Sequence, residues 1–237
     1  MEKKELANEI IILTVASLFA GLVLAIKIQW PILSIEPKDL LWMSLFSLLL
    51  FSVFIIAQKI VAYFLDCKTR SKLLSFRRFW FKPITEQGRA EFSFEFPAWL
   101  VLPLLLLLVN IKWLAILNFD VEPLPARTRR KWSNITEADI AKISIAGPFS
   151  AILLAVILRI FNTDLAFLAM LLAFLTLLPI GIGFKLFNSS RILWFFSFVF
   201  SLVLLLIIKI TMPIASIIIA LILAALATLV YYTLFEK

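Results

Sequence analysis

Six apolar runs, each close to the length of a membrane crossing, constrain this chain more than any other feature of it. They cover residues 9–29, 40–65, 141–160, 165–182, 192–208 and 213–234. A helix rises about 1.5 Å per residue, so about twenty residues cover a hydrocarbon core about 30 Å thick. Apolar residues make up 63% of the chain and charged residues 16%, far from the balance of a water-soluble domain. The expected fold is all-α: a polytopic membrane bundle of six spans, forming one integral membrane domain over residues 1–237. Its stability would come from helix packing in lipid rather than from a water-excluding core. The first run is long for a signal-peptide core and no small-x-small cleavage pattern follows it, so it reads as a retained span.

Charge sets the expected orientation. The formal net charge is +8, and the basic residues cluster in two loops beside apolar runs. Basic residues so placed fix topology and touch anionic headgroups, so nucleic acid is not an expected partner. Between the two loops lies a further apolar stretch, residues 94–119, containing Pro97, Pro103, Asn110 and Lys112. The loop before it holds Lys68, Arg70, Lys72, Arg77, Arg78, Lys82 and Arg89; the loop after it holds Arg127, Arg129, Arg130 and Lys131. A crossing by 94–119 would put these loops on opposite sides, and one would break the positive-inside bias. A segment that dips in and returns keeps both on the cytoplasmic side, and its backbone polar groups must then find partners in the bundle. The re-entrant arrangement is the expected one. It places residues 66–93 and 120–138 on one side, with both termini cytoplasmic in a multi-pass cell-membrane protein.

The chain contains no histidine and a single cysteine, Cys67, which bounds the metal chemistry open to it. Three short stretches nevertheless form a pattern. The first is Phe54-Ile55-Ile56-Ala57-Gln58-Lys59-Ile60-Val61-Ala62, in the second run. The second is Ile145-Ala146-Gly147-Pro148-Phe149-Ser150-Ala151, in the third run. The third is Leu177-Leu178-Pro179-Ile180-Gly181-Ile182-Gly183-Phe184-Lys185. Together they resemble the site-2 protease family of intramembrane zinc metalloproteases, in its archaeal six-span form, over roughly residues 40–195. Residues 192–234 would be an added C-terminal helix pair.

The resemblance implies which positions have lost their chemistry. In the family helix of the form His-Glu-Leu-Ala-His-Lys-x-x-Ala, Ala57, Lys59 and Ala62 match, while the two histidines fall on Phe54 and Gln58 and the glutamate on Ile55. The family's Ala-Gly-Pro-x-x-Asn has Ala151 in place of the asparagine. In Asn-Leu-Leu-Pro…Leu-Asp-Gly-x-Lys the asparagine falls on Thr176 and the aspartate ligand on Ile182, with Asn188 the nearest polar alternative. Phe54 and Ile55 have no donor atom, and an amide is a poor ligand for a borderline-soft zinc ion. The expected site is therefore a packed apolar contact with no catalytic residue, metal or cofactor.

The remaining polar residues carry two expectations each. Gln58, Lys59, Lys185 and Arg191 form a possible binding surface near the cytoplasmic face. Alternatively Lys59 snorkels, Gln58 hydrogen-bonds a neighbouring helix, and Lys185 and Arg191 anchor the chain at headgroups. Arg159 and Asp164 flank the outer turn, where they pair or meet headgroups. Asp66, Glu86, Glu91, Glu95, Asp120 and Glu122 are scattered without ligand-like spacing. The functional expectation is a catalytically inactive, site-2-protease-like protein that binds other integral membrane proteins as an adaptor or complex subunit. The competing expectation is a membrane enzyme or carrier acting on lipids or small solutes. That alternative requires a water-accessible cavity lined by Lys59, Lys185 and Arg191.

Overall fold

The computed structural model describes residues 2–29, 32–34, 36–77, 95–124, 135–210 and 213–235. The basic residues Arg78, Lys82, Arg89, Arg127, Arg129, Arg130 and Lys131, and the carboxylates Glu86 and Glu91, lie outside the described residues. Helix α1, Glu2–Ala25, packs against α2, Pro37–Phe64. Proline at the start of α2 suits a position whose N–H has no helical partner. The connection expected as a plain loop contains a short antiparallel pair, β1 (Lys27–Gln29) with β2 (Ile32–Ser34).

The buried face of α2 comprises Phe46, Ser47, Leu50, Phe51, Phe54, Gln58 and Ala62, the three-and-four spacing of one helix face. It packs against α4, Glu137–Phe161. A capping box starts α4: Thr136 accepts from the Asp139 N–H, and the Asp139 carboxylate accepts from the Thr136 N–H. Along its buried face lie Ser144, Gly147, Ala151 and Ala155, small side chains that let two helices approach closely in lipid.

Asn162 caps the next helix, α5 (Thr163–Leu177), accepting from the N–H groups of Asp164 and Leu165. The sequence reads residues 165–182 as one span, but α5 stops and α6, Ile182–Ser189, leaves at 53° to it. Pro179 has no N–H to continue the helix, and Gly181 adopts φ +61°, where a Cβ is strained. The Trp194 Nε1–H donates to the Leu177 carbonyl at 2.7 Å, giving one oxygen freed at the break a partner. Helices α7 (Arg191–Ile207) and α8 (Pro213–Phe235) complete the bundle.

Among the described residues, four helices are long and apolar enough to cross a membrane: α1 from Glu5, then α2, α4 and α8, the last from Ile214. The bent α5–α6 pair makes a fifth by length and composition. Helix α7 is apolar but has 17 residues, about 25 Å of rise. The molecule is thus a mostly helical, membrane-type bundle.

It is not purely α. Strand β3, Cys67–Leu73, pairs antiparallel with β6, Leu117–Pro123, in register from Cys67↔Pro123 to Leu73↔Leu117. Within β3 the buried Cys67, Thr69 and Ser71 alternate with the half-exposed Lys68 and Arg70 and the exposed Lys72, the two-residue period of a strand. Between these strands lie the short pair β4 (Phe76–Arg77) and β5 (Glu95–Phe96), and helix α3, Ala98–Leu108.

Eleven residues of α3 rise about 16 Å, half of a hydrocarbon core. The chain then turns at Asn110, with φ +60°, and runs back without helix to β6. Both ends of this excursion meet one residue. The Leu74 N–H donates to the Ile116 carbonyl, and the Leu74 carbonyl accepts from the Trp99 N–H, each at 2.8 Å. Near the tip, Lys112 Nζ donates to the Leu24 carbonyl at 2.7 Å, placing a cation at the C-terminal end of α1, where the helix dipole favours it. Residues 99–116 are therefore an out-and-back hairpin. Its outer strands close at the end of the bundle that holds the start of α1, where the Leu124 N–H donates to the Asp66 carbonyl at 3.0 Å. That end is the ribbon end below.

The opposite end is tied by Arg159 of α4. Its Nε donates to the Ile208 carbonyl at 2.7 Å and its Nη2 to the Lys209 carbonyl at 3.3 Å, just past α7. Asp164 pairs with Lys209 at 3.3 Å and not with Arg159.

Candidate functional site

Two stretches singled out in the sequence, on α2 and α4, meet in the bundle. Phe54 is 1% exposed, and its ring lies against the backbone of Gly147. A Cβ built on Gly147 would sit 2.5 Å from both Cε1 and Cζ of that ring. Ala151 and Ile182 are buried in the same apolar core, and Ile55 packs against it half-buried. Thr176 turns its hydroxyl back onto the Leu172 and Ala173 carbonyls of its own helix. Zinc does not fit these positions. At Phe54, where the resemblance would put the first histidine, stands a ring in van der Waals contact with a helix backbone, and Ile55 and Ile182 bring no donor. Among the described residues no group of three or more His, Cys, Asp or Glu side chains is placed to hold a metal ion.

Gln58, read both as part of a possible binding surface and as a hydrogen-bonding residue between helices, is inside the protein, 3% exposed. Its Nε2 has no hydrogen-bond partner among the described residues, and neither have Ser144 Oγ on α4 and Ser47 Oγ on α2. A buried, unmade amide hydrogen bond costs about 1–3 kcal/mol. Gln58→Leu, which keeps the volume and removes the donor, is therefore expected to raise the midpoint of thermal unfolding in nanodiscs. A lowered midpoint would mean that Gln58 has a bound partner in the membrane.

Lys59, Lys185 and Arg191 are not brought together. Lys59 pairs with Glu9 of α1. Lys185 pairs with Asp120 of β6 at 3.4 Å and lies 4.5 Å from the centroid of the Phe119 ring. Arg191 is exposed, over the ring of Phe187. The first two line separate grooves. One, of about 450 Å³, runs between α1, the end of α2 and β3, with Lys59, Lys68, Arg70 and Lys72 on its wall. The other, of about 550 Å³, is lined by Asp120, Glu122, Glu137, Lys185 and Asn188. Burial pushes the Asp120 carboxyl up, but hydrogen bonds and charge from Lys72 and Lys185 outweigh it and hold the group below the usual carboxylate range.

The part of this region invisible to sequence reasoning is the network that holds α1 to the ribbon. Glu5 takes Lys68 and Arg70, the latter at 2.6 Å, and Arg70 also meets Glu122 at 3.1 Å. Lys72 pairs with Asp120. The alternation of Lys68, Arg70 and Lys72 in β3 was the available signal, since strand periodicity puts all three on one face.

No protein-family model, no curated protein and no solved structure matches the chain. Architecture and side-chain chemistry therefore carry the functional reading.

Proposed function

We propose that this chain is a catalytically inactive membrane protein, site-2-protease-like in scaffold, which binds other integral membrane proteins as an adaptor or complex subunit. The observation that carries the proposal is the contact of Phe54 with Gly147. It fills with an aromatic ring the position where a hydrolytic centre of that family would need a metal ligand and water. A bundle of this kind keeps its packing faces when its chemistry is gone. Ile56 and Ile60 of α2 are 54% and 51% exposed, on the helix that carries Phe54, and such a face meets lipid or a partner's helix. In this proposal the ribbon end faces the cytoplasm, six passes cross the membrane, and residues 94–119 enter and return.

The competing enzyme or carrier has less support, because the cations it needs around one cavity are divided between two grooves and open surface. The test is purification from native membranes in mild detergent and in nanodiscs. A second membrane protein in fixed stoichiometry, with no chelator-resistant zinc, is expected. A chain that runs alone under every mild condition removes the adaptor proposal. One equivalent of zinc that survives chelation removes the inactive-scaffold proposal.

A further inference from the structure

We propose that the groove between α1, the end of α2 and β3 is a binding site for the headgroup of an anionic phospholipid. It rests on the membrane placement of the bundle and not on its inactivity or its protein partners. Its depth is set by two spans. The apolar part of α1 begins at Glu5 and that of α2 ends at Phe64, so the groove opens where hydrocarbon gives way to water. Tyr63 and Phe64, 72% and 78% exposed, mark the same level, since aromatic side chains favour the membrane interface.

The two walls differ in chemistry. Lys59, Lys68, Arg70 and Lys72 line one side, while Leu6 and Ile12 of α1 supply apolar surface. Within the lining these four cations share two carboxylates, Glu5 and Glu9. Behind the wall Glu122 and Asp120 take further contacts from Arg70 and Lys72. The internal pairs leave donors over: an ammonium has three N–H groups and a guanidinium five. The four basic side chains keep between 39% and 55% of their surface exposed. A phosphate accepts from several such donors at once. A soluble phosphate would have no use for the apolar wall, whereas a phospholipid lays its glycerol and acyl chains against it. The second groove makes the contrast: its lining offers a phosphate one cation, Lys185, which is already paired with Asp120.

The probes are phosphatidylglycerol and phosphatidylcholine, with lipid retention by the full chain read by native mass spectrometry after release from mixed bilayers. The test variant is K68Q/K72Q, in which Glu5 keeps Arg70 and Asp120 keeps Lys185. R191Q/K209Q removes the same charge elsewhere. Wild type and R191Q/K209Q should retain phosphatidylglycerol in preference, and K68Q/K72Q should lose about tenfold of that preference. Equal loss in both variants, or none in K68Q/K72Q, overturns the site. A second reading needs no variant: phosphatidylglycerol should raise the unfolding temperature of the wild type more than phosphatidylcholine does, and equal shifts also overturn it. If inorganic phosphate in neutral detergent gives the same rise as phosphatidylglycerol, the groove is a soluble-anion site and the lipid proposal fails.

Discussion

Gly147→Ala should destabilise the bundle by about 1–3 kcal/mol, the usual cost of forcing an extra methyl group into a packed interior. The added Cβ would lie 2.5 Å from two carbons of the Phe54 ring, far inside contact distance. Neither partner has room to yield, because Phe54 is 1% exposed and Gly147 is buried, and both helices are fixed by further buried neighbours. Phe54→Ala alone should cost more, about 3–5 kcal/mol, through lost burial and the cavity left behind. In the double variant the new methyl group occupies part of that cavity, so the two costs should fall short of their sum by about 0.5–3 kcal/mol. Unfolding of all four proteins in bicelles measures the cycle. Strictly additive costs would mean that ring and glycine do not touch, and the proposed function would lose its central observation.

The bundle was legible in the sequence because span length and apolar content are local properties. Residues 40–65 and 141–160 became α2 and α4 with small shifts at their ends. The break in 165–182 was also written locally, in Pro179 and Gly181, but a window of apolar residues averages over it. Strand β3 carried a readable alternation from Cys67 to Leu73. Its partner was not readable, since Lys68 and Glu122 face each other across more than fifty residues of chain, and pairing at that distance depends on the whole fold. Charge led to the expectation of a re-entrant segment over residues 94–119, while the closure of residues 99–116 on Leu74 is a tertiary contact with no sequence signal.

At the candidate site the balance is different. The positions of Phe54, Gly147, Ala151 and Ile182 were marked by resemblance alone, and their burial follows from side chains that bring no polar group. Gln58 carried two readings because a polar residue near a helix end is usually at the surface, and its place on the Ser47–Phe54–Ala62 face of α2 sends it inward. The cations near the membrane surface were identified one by one. Glu5 and Glu9, which organise them, sit in α1, and nothing local connects them with Lys59, Lys68 or Arg70.

Impermeant maleimide applied to sealed, outside-out vesicles should label single cysteines at Lys38 and Ile210 to near completion, and leave those at Glu122 and Ala138 unlabelled until the membrane is opened. The background is Cys67→Ser, and all four positions are accessible in the fold. Arg159 ties the region of Ile208 and Lys209 to the far end of α4, so Ile210 reports the end opposite the ribbon, as does Lys38 at the start of α2. Glu122 and Ala138 lie at the ribbon end, in β6 and in the first turn of α4. The expected direction follows from charge. Lys59, Lys68, Arg70, Lys72, Lys142, Lys185 and Arg191 lie toward the ribbon end, against Lys27, Lys38, Lys112, Arg159 and Lys209 toward the other, and basic residues next to spans are retained in the cytoplasm. The positive-inside bias acts on these short basic loops as the chain inserts, so the orientation with the ribbon end inside should dominate. If Glu122 and Ala138 label from outside while Lys38 and Ile210 do not, the orientation is inverted and the ribbon faces the exterior. If Glu122 and Lys38 label from the same side, the excursion between β3 and β6 is a crossing, and the closure on Leu74 does not survive in the membrane.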